Sequence, residues 1–129
     1  MANGKILIID DDTDILQVVG IILRKNGFEA VTLSSPPSNF VEEVIQIKPA
    51  VIVLDVQLGG HDGRELGKQI KEVKKLAHIP VILFSANNHF KYDVAVYLCD
   101  DFIEKPFAVD FFVNKIRYYV QKGLWKDLG

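Results

Sequence analysis

Lys5-Ile6-Leu7-Ile8-Ile9-Asp10-Asp11-Asp12 is the stretch that decides the architecture. Four apolar residues in succession, without the alternation of a half-exposed strand, suit a strand covered on both faces. Three carboxylates then end it at once. The run is far too short for a signal peptide, and no run in the chain approaches the ~18–20 apolar residues of a membrane span. Similar short runs recur at residues 29–33, 51–54, 81–84 and 101–104. Helical spacings lie between them. Ile15, Val18, Val19 and Ile22 share one face, and Asn26-Gly27 closes that helix with a left-handed cap. Pro36-Pro37 predicts the opening of a second helix, with Phe40, Val41, Val44 and Ile45 as its inner stripe. Asp62-Gly63-Arg64-Glu65 reads as an aspartate N-cap with an acid three positions on, followed by Leu66, Ile70, Val73 and Ala77 on one face. Val94, Tyr97 and Leu98 suggest a short helix within residues 87–99. A last helix, from about residue 108 to 122, turns Val109, Phe112, Val113, Ile116 and Val120 inward.

Five strands alternating with five helices predict a parallel sheet joined by right-handed crossovers, with helices on both faces. At 129 residues the chain is long enough for one such domain and short for two. The expected organisation is a single domain over residues 1–129, with a core at about 4–122 and a short C-terminal tail at 123–129. The 49% hydrophobic content can fill a core, and a net charge of −2 lacks the basic excess of a nucleic-acid or anionic-membrane binder. Cys99 is the only cysteine, which excludes a disulfide scaffold and is compatible with a cytoplasmic location.

In an open parallel sheet the carboxyl ends of the strands line one edge, and ligands bind there. Past strand one come Asp10, Asp11 and Asp12; at the end of strand three, Asp55; after strand four, Ser85; after strand five, Lys105. Carboxylates held close repel by about 4 kcal/mol per pair at 4 Å in an effective dielectric of 20. Such a cluster needs a cation or raised pKa values, and all-oxygen ligands favour a hard ion such as Mg²⁺. A carboxylate beside such an ion, a lysine and a hydroxyl has the surroundings of a phosphoryl acceptor. In that reading Asp55 attacks phosphorus in line, the metal and Lys105 neutralise the phosphoryl oxygens, and Ser85 hydrogen-bonds one of them.

Ile8-Ile9-Asp10-Asp11-Asp12, Val53-Leu54-Asp55-Val56, Asp62-Gly63, Leu83-Phe84-Ser85-Ala86 and Ile103-Glu104-Lys105-Pro106-Phe107 stand in this order along almost the whole chain. In that combination the sequence resembles the receiver domain of bacterial two-component response regulators, of the stand-alone, chemotaxis-regulator-like kind. The resemblance implies a flavodoxin-like fold with strand order 2-1-3-4-5. It also implies phosphorylation on aspartate by a sensor histidine kinase or phosphotransfer protein, and a changed face for a downstream protein target. Residue by residue, it makes Asp55 the phosphoacceptor and Asp10 and Asp11 the acid pair. Asp11, Asp55 and the Gln57 backbone carbonyl then hold Mg²⁺, beside Asp10. Ser85 and Lys105 match the family's hydroxyl and lysine, Lys105-Pro106 its cis peptide, and Phe102 its aromatic switch position. The protein would then be no enzyme beyond autocatalysed phosphoryl transfer and autodephosphorylation.

Two departures stand out. Leu58-Gly59-Gly60-His61 replaces the usual Met-Pro-Gly-x before Asp62-Gly63, and a glycine in place of that proline predicts a looser loop. The interval from Ser85 to Lys105 is about two residues shorter than usual, which affects the fourth helix and any interface built on it. The rival readings are a phosphorylation-independent receiver-like adaptor, a haloacid dehalogenase-like phosphatase and a flavodoxin. The phosphatase motif wants Thr or Val where Asp14 stands, and a flavin phosphate would be repelled by three aspartates. Asp12 or Thr13 is expected to cap the first helix, Asp100-Asp101 to form a solvated turn, His61, His78 and His89 to lie on the surface, and Cys99 to be a small core residue. Phe111, Tyr118 and Trp125 recur every seven residues with Lys115 and Lys122 between them. They line a helix flank or form a partner face, including a homodimer through the fourth and fifth helices. Only 24 residues follow Lys105, so the expected output passes through protein contacts and not through a fused nucleic-acid-binding effector. The Met1 start favours a natural stand-alone chain over an excised one.

Overall fold

A computed structural model describes residues 4–128, with side chains described for residues 4–123. Its five-stranded sheet is built from β1 (Lys5–Ile9), β2 (Glu29–Leu33), β3 (Val51–Asp55), β6 (Val81–Ser85) and β7 (Asp101–Glu104). The strands run parallel in the order β2-β1-β3-β6-β7. This is the expected doubly wound, flavodoxin-like order, because the two remaining strands form a separate small hairpin: β4 (Gln57–Leu58) and β5 (His61–Asp62).

The unbroken apolar strands supply two cores at once. On one face Ile6, Ile8, Val53, Ile82 and Phe84 meet α1 (Thr13–Lys25) and α4 (Val109–Leu128) through Leu16, Val19, Leu23, Phe112 and Ile116. On the other, Leu7, Ile9, Ile52, Leu54 and Leu83 meet α2 (Phe40–Ile47) and α3 (Gly63–Glu72) through Phe40, Val44, Leu66 and Ile70. Successive side chains of each strand thus go to opposite cores. Each fully buried Ile, Leu or Phe contributes roughly 1.5–3 kcal/mol.

The strands fall where the sequence puts them, with β3 and β6 each one residue longer. The helices differ more. Asp12, not Thr13, caps α1, its carboxylate accepting from the Asp14 and Ile15 amides. The buried stripe of α1 is Leu16, Val19, Gly20 and Leu23, while Val18 is 52% exposed. Ile15, Val18, Ile21 and Ile22 make this helix apolar around much of its circumference, so periodicity alone did not set its rotation. Gly27 takes the left-handed φ of 87° expected of the cap. The second helix opens at Phe40 after Asn39, so Pro36-Pro37 precede it and do not start it. Its stripe is Phe40 and Val44, with Val41 and Ile45 half-buried. α3 ends at Glu72, which leaves Val73 as its cap and Ala77 exposed in a turn. The last helix runs on to Leu128 instead of ending near residue 122, and Val109 is 48% exposed, outside its buried stripe.

The short helix expected within residues 87–99 is a 3₁₀ helix (Asn88–Asp93), and Val94, Tyr97 and Leu98, expected on it, lie in the turn that follows. It ends in a turn that forces Leu98 to a left-handed φ of 64°.

Candidate functional site

Parallel register assembles the edge. Ile9 pairs with Leu54, Asp55 with Phe84, and Ser85 with Glu104, so β1, β3, β6 and β7 end side by side. The Lys105 amide donates to the Ser85 carbonyl at 2.9 Å and the Asp10 amide to the Leu33 carbonyl at 3.1 Å, carrying the ladder one residue past the strand ends. Asp10, Asp55 and Ser85 are the buried polar residues of the described chain. Carboxylate oxygens of Asp10, Asp11 and Asp55 lie within 4.8 Å of one another, with Asp11 exposed.

Lys105 Nζ reaches into this cluster, 2.7 Å from Asp10 Oδ2 and 3.6 Å from Asp55 Oδ1. One ammonium cannot offset three carboxylates. Asp10 Oδ1 accepts from the Asp12 amide at 2.9 Å, and Oδ2 has the Lys105 ammonium as its one partner. Burial, and next the charge of Asp10, push the Asp55 carboxyl up to about 7, against the opposing pull of Lys105. The chemistry of the set therefore fits a hard divalent cation: all-oxygen donors, three carboxylates sharing one ammonium, and an acceptor carboxyl whose charge burial disfavours.

The loop after Asp55 is tighter than glycine for proline predicted. Gln57 pairs with Asp62 and Leu58 with His61 around Gly59-Gly60, and Gly59 adopts a φ of 61° that suits a two-residue hairpin turn. The Gln57 amide also donates to Asp55 Oδ1, at a long 3.4 Å. Gly63 follows with no room for a side chain, since a Cβ there would strike the Asp55 carbonyl oxygen. Its amide donates to the Val56 carbonyl at 2.8 Å, locking the start of α3 against the end of β3. Ser85 Oγ accepts from the Asn87 amide at 3.1 Å, which leaves its hydroxyl proton free to donate.

The family described as "Response regulator receiver domain" matches residues 6–117. This chain belongs to that family. As a receiver domain it is 31% identical over 109 residues to the alkaline phosphatase synthesis transcriptional regulatory protein PhoP of Bacillus subtilis, covering 82% of this chain and 44% of that protein. It is 28% identical over 125 residues to the sensory transduction protein RegX3 of Mycolicibacterium smegmatis, covering 95% and 53%. The receiver thus spans about half the length of these curated relatives. Among solved structures, a response regulator from Chloroflexus aurantiacus superposes with a TM-score of 0.84 at 22% identity, covering 92% of this chain and 98% of that one. Vibrio cholerae chemotaxis protein CheY4 gives 0.80 at 21%, with the same coverage. NtrX from Brucella abortus gives 0.84 at 29%, over 98% of this chain and 28% of that one.

The other residues singled out in the sequence scatter around the receiver. Phe102 on β7 is half-buried against the core that faces α2 and α3. The Lys105–Pro106 bond is cis. Phe111 and Tyr118 are 52% and 56% exposed on α4, with Lys115 5.0 Å above the Phe111 ring; the Trp125 side chain lies outside the described residues. His61, His78 and His89 are exposed, and Cys99 is buried, its thiol pushed up to about 12 mainly by burial. Asp100, exposed, and Asp101, half-buried, lead into β7 away from the acid cluster as expected, but their carboxylates are paired and not free in solvent. Asp100 pairs with Lys71 at 2.6 Å, while Asp101 accepts from Lys115 at 2.9 Å and the Tyr119 hydroxyl at 2.8 Å. These bonds tie the start of β7 to α3 and α4, at the sheet edge opposite the acid cluster. Sequence reasoning missed Arg64, whose distant partners Phe90, Asp93 and Tyr97 lie 26 to 33 residues on and leave no local signature. Among the described residues no helix is long and apolar enough to cross a membrane.

Proposed function

We propose that this receiver is a phosphoaspartate switch in which Asp55 accepts a phosphoryl group from the phosphohistidine of a sensor histidine kinase or phosphotransfer protein. The observation that carries this reading is the convergence of Asp10, Asp11, Asp55 and Lys105 at one edge, where a single ammonium serves the buried carboxylates of Asp10 and Asp55. A carboxylate oxygen of Asp55 forms the new O–P bond as the P–N bond of the donor breaks, and the departing imidazole nitrogen keeps the electron pair. Lys105 is within reach to offset charge on the phosphoryl oxygens, and the free Ser85 proton can hydrogen-bond one of them. Asp10, Asp11, Asp55 and the Gln57 carbonyl are the groups that would hold Mg²⁺, which when bound supplies charge neutralisation for the incoming phosphoryl group.

Ser85 drawn toward the acceptor would free space for Phe102 to turn, changing the face seen by a downstream protein. Exposed Phe111 and Tyr118 belong to that candidate face, for a target or a second copy. Phosphotransfer and hydrolysis would be autocatalysed, without turnover of an independent substrate, in the cytoplasm where such kinases present their phosphohistidine.

Incubation with Mg²⁺ and acetyl phosphate, followed by intact mass, tests the reading. The wild type should gain one phosphoryl mass, and Asp55→Ala should gain none. No gain on the wild type defeats the switch; a gain on Asp55→Ala defeats the site assignment.

A further inference from the structure

Arg64, in the first turn of α3, joins two segments that flank the acceptor. Its Nε and Nη2 hold both carboxylate oxygens of Asp62 at 3.0 and 2.7 Å, and its Nη1 holds Asp93 Oδ2 at 2.8 Å. Its guanidinium also lies 4.9 Å from the Phe90 ring centroid and 5.1 Å from that of Tyr97. Four of its partners thus come from two loops.

One loop is the hairpin that follows Asp55. Asp62 pairs there with Gln57, whose amide donates to Asp55 Oδ1, and the Asp62 side chain caps α3 by accepting from the Arg64 amide at 2.9 Å. The other loop is the segment after Ser85, which begins with the Asn87 amide on the Ser85 hydroxyl. Phe90, Val94 and Tyr97 rest half-buried against the core that faces α2 and α3, and the segment has few other ties. It is a 3₁₀ turn with no buried residue, it carries Tyr92 and Val96 at 70% and 69% exposure, and it ends in the left-handed Leu98. A bidentate, stacked arginine between two carboxylates is the strongest polar tie available to it.

We propose that Arg64 is a positioning residue that couples the Gln57–Asp62 hairpin, and through it Asp55, to the 88–97 segment. The position of each loop then biases the other, as linkage between two sites requires. Its meaning for signalling rests on Asp55 being the phosphoacceptor. The strap itself is a property of the fold and can be measured without phosphorylation.

The test perturbs one end and reads the other. Asp93→Asn removes the charged partner in the second loop and leaves the Asp62 pair intact. Amide hydrogen exchange within residues 57–62 should quicken about threefold or more in this variant, the scale expected of coupling between packed neighbours. Arg64→Lys should do the same, because an ammonium cannot hold two carboxylates and stack on two rings at once. The rate of phosphorylation by acetyl phosphate and Mg²⁺ should change in the same variants while Asp55 remains the modified residue. If exchange quickens only within residues 88–97, with residues 57–62 and the phosphorylation rate as in wild type, Arg64 is a local staple and the coupling is wrong. Should the wild type take up no phosphoryl group, the acceptor reading fails, and exchange at residues 57–62 in Asp93→Asn still decides the strap.

Discussion

Asp55 is held in a site that disfavours its own charge. Its folded pKa, about 7, stands above the ordinary 3.8 because of burial first and the neighbouring Asp10 second. For a raised pKa the contribution to stability is complete below the unfolded value and is lost as pH rises through the folded one. The metal-free protein should therefore lose roughly 2–4 kcal/mol between about pH 4 and pH 7 through this residue. Asp55→Asn should be more stable than wild type at pH 8 by a similar amount and indistinguishable near pH 4, as urea titrations at the two pH values would show. Mg²⁺ held by these carboxylates would compete with that proton, so the affinity expected under the proposed function should rise with pH up to about 7, measurable by calorimetry. Gly63 is the other single position on which the site depends. Gly63→Ala drives a methyl into the Asp55 carbonyl and should cost about 3 kcal/mol or more, read as a lower denaturation midpoint.

At the scale of elements, the hairpin and the 3₁₀ segment are where this receiver carries its own character. Gly59-Gly60 lets Gln57 and Leu58 fold back on His61 and Asp62, so the loop lacking proline is ordered by its own ladder. The 3₁₀ segment has the opposite character, with a leucine in a conformation that favours glycine. The Leu98 amide donates to the Ala95 carbonyl and the Cys99 amide to the Val94 carbonyl, which fixes the turn and with it the φ of 64°. Leu98→Gly should relieve that strain and raise stability by about 0.5–1 kcal/mol, less than the full left-handed penalty because glycine loses more entropy on folding. Thermal unfolding of the variant checks it; a lower midpoint would show that the half-exposed leucine side chain contributes more by packing than its backbone costs.

Across the whole molecule the two cores are closed to solvent, and exposed apolar residues fall into groups. Val18 and Ile21 lie on α1; Tyr92, Val96 and Leu98 lie on the 3₁₀ segment and its turn; Phe111 and Tyr118 lie on α4. None of these side chains fills a core, so, the strained Leu98 apart, truncating them to alanine should leave stability within about 0.5 kcal/mol. The Phe111→Ala, Tyr118→Ala double variant should keep the wild-type melting temperature while weakening association with a target or a second copy. Sedimentation with and without acetyl phosphate measures the latter. Unchanged mass in solution and unchanged partner affinity would remove this face from the mechanism.

Most of the sheet and the acid cluster could be read from the chain alone, since both depend on local rules. An apolar run without alternation must be covered on two sides, and polar residues just past parallel strands must share an edge. Asp10, Asp11, Asp55, Ser85 and Lys105 were legible for that reason, although up to 95 residues separate them. Helix rotation and extent were less legible: α1 is apolar over too much of its surface for periodicity to choose the face, and Pro36-Pro37 resemble a helix start that the structure places three residues further on. What only the tertiary structure decided is the coupling between loops. Arg64 reads locally as the second residue of a capped helix, and nothing near it in sequence names Asp93, Phe90 or Tyr97. Hydrogen bonds and stacking form between surfaces that folding brings together, and the chain encodes that meeting only through the sheet order that sets α3 beside the segment after β6.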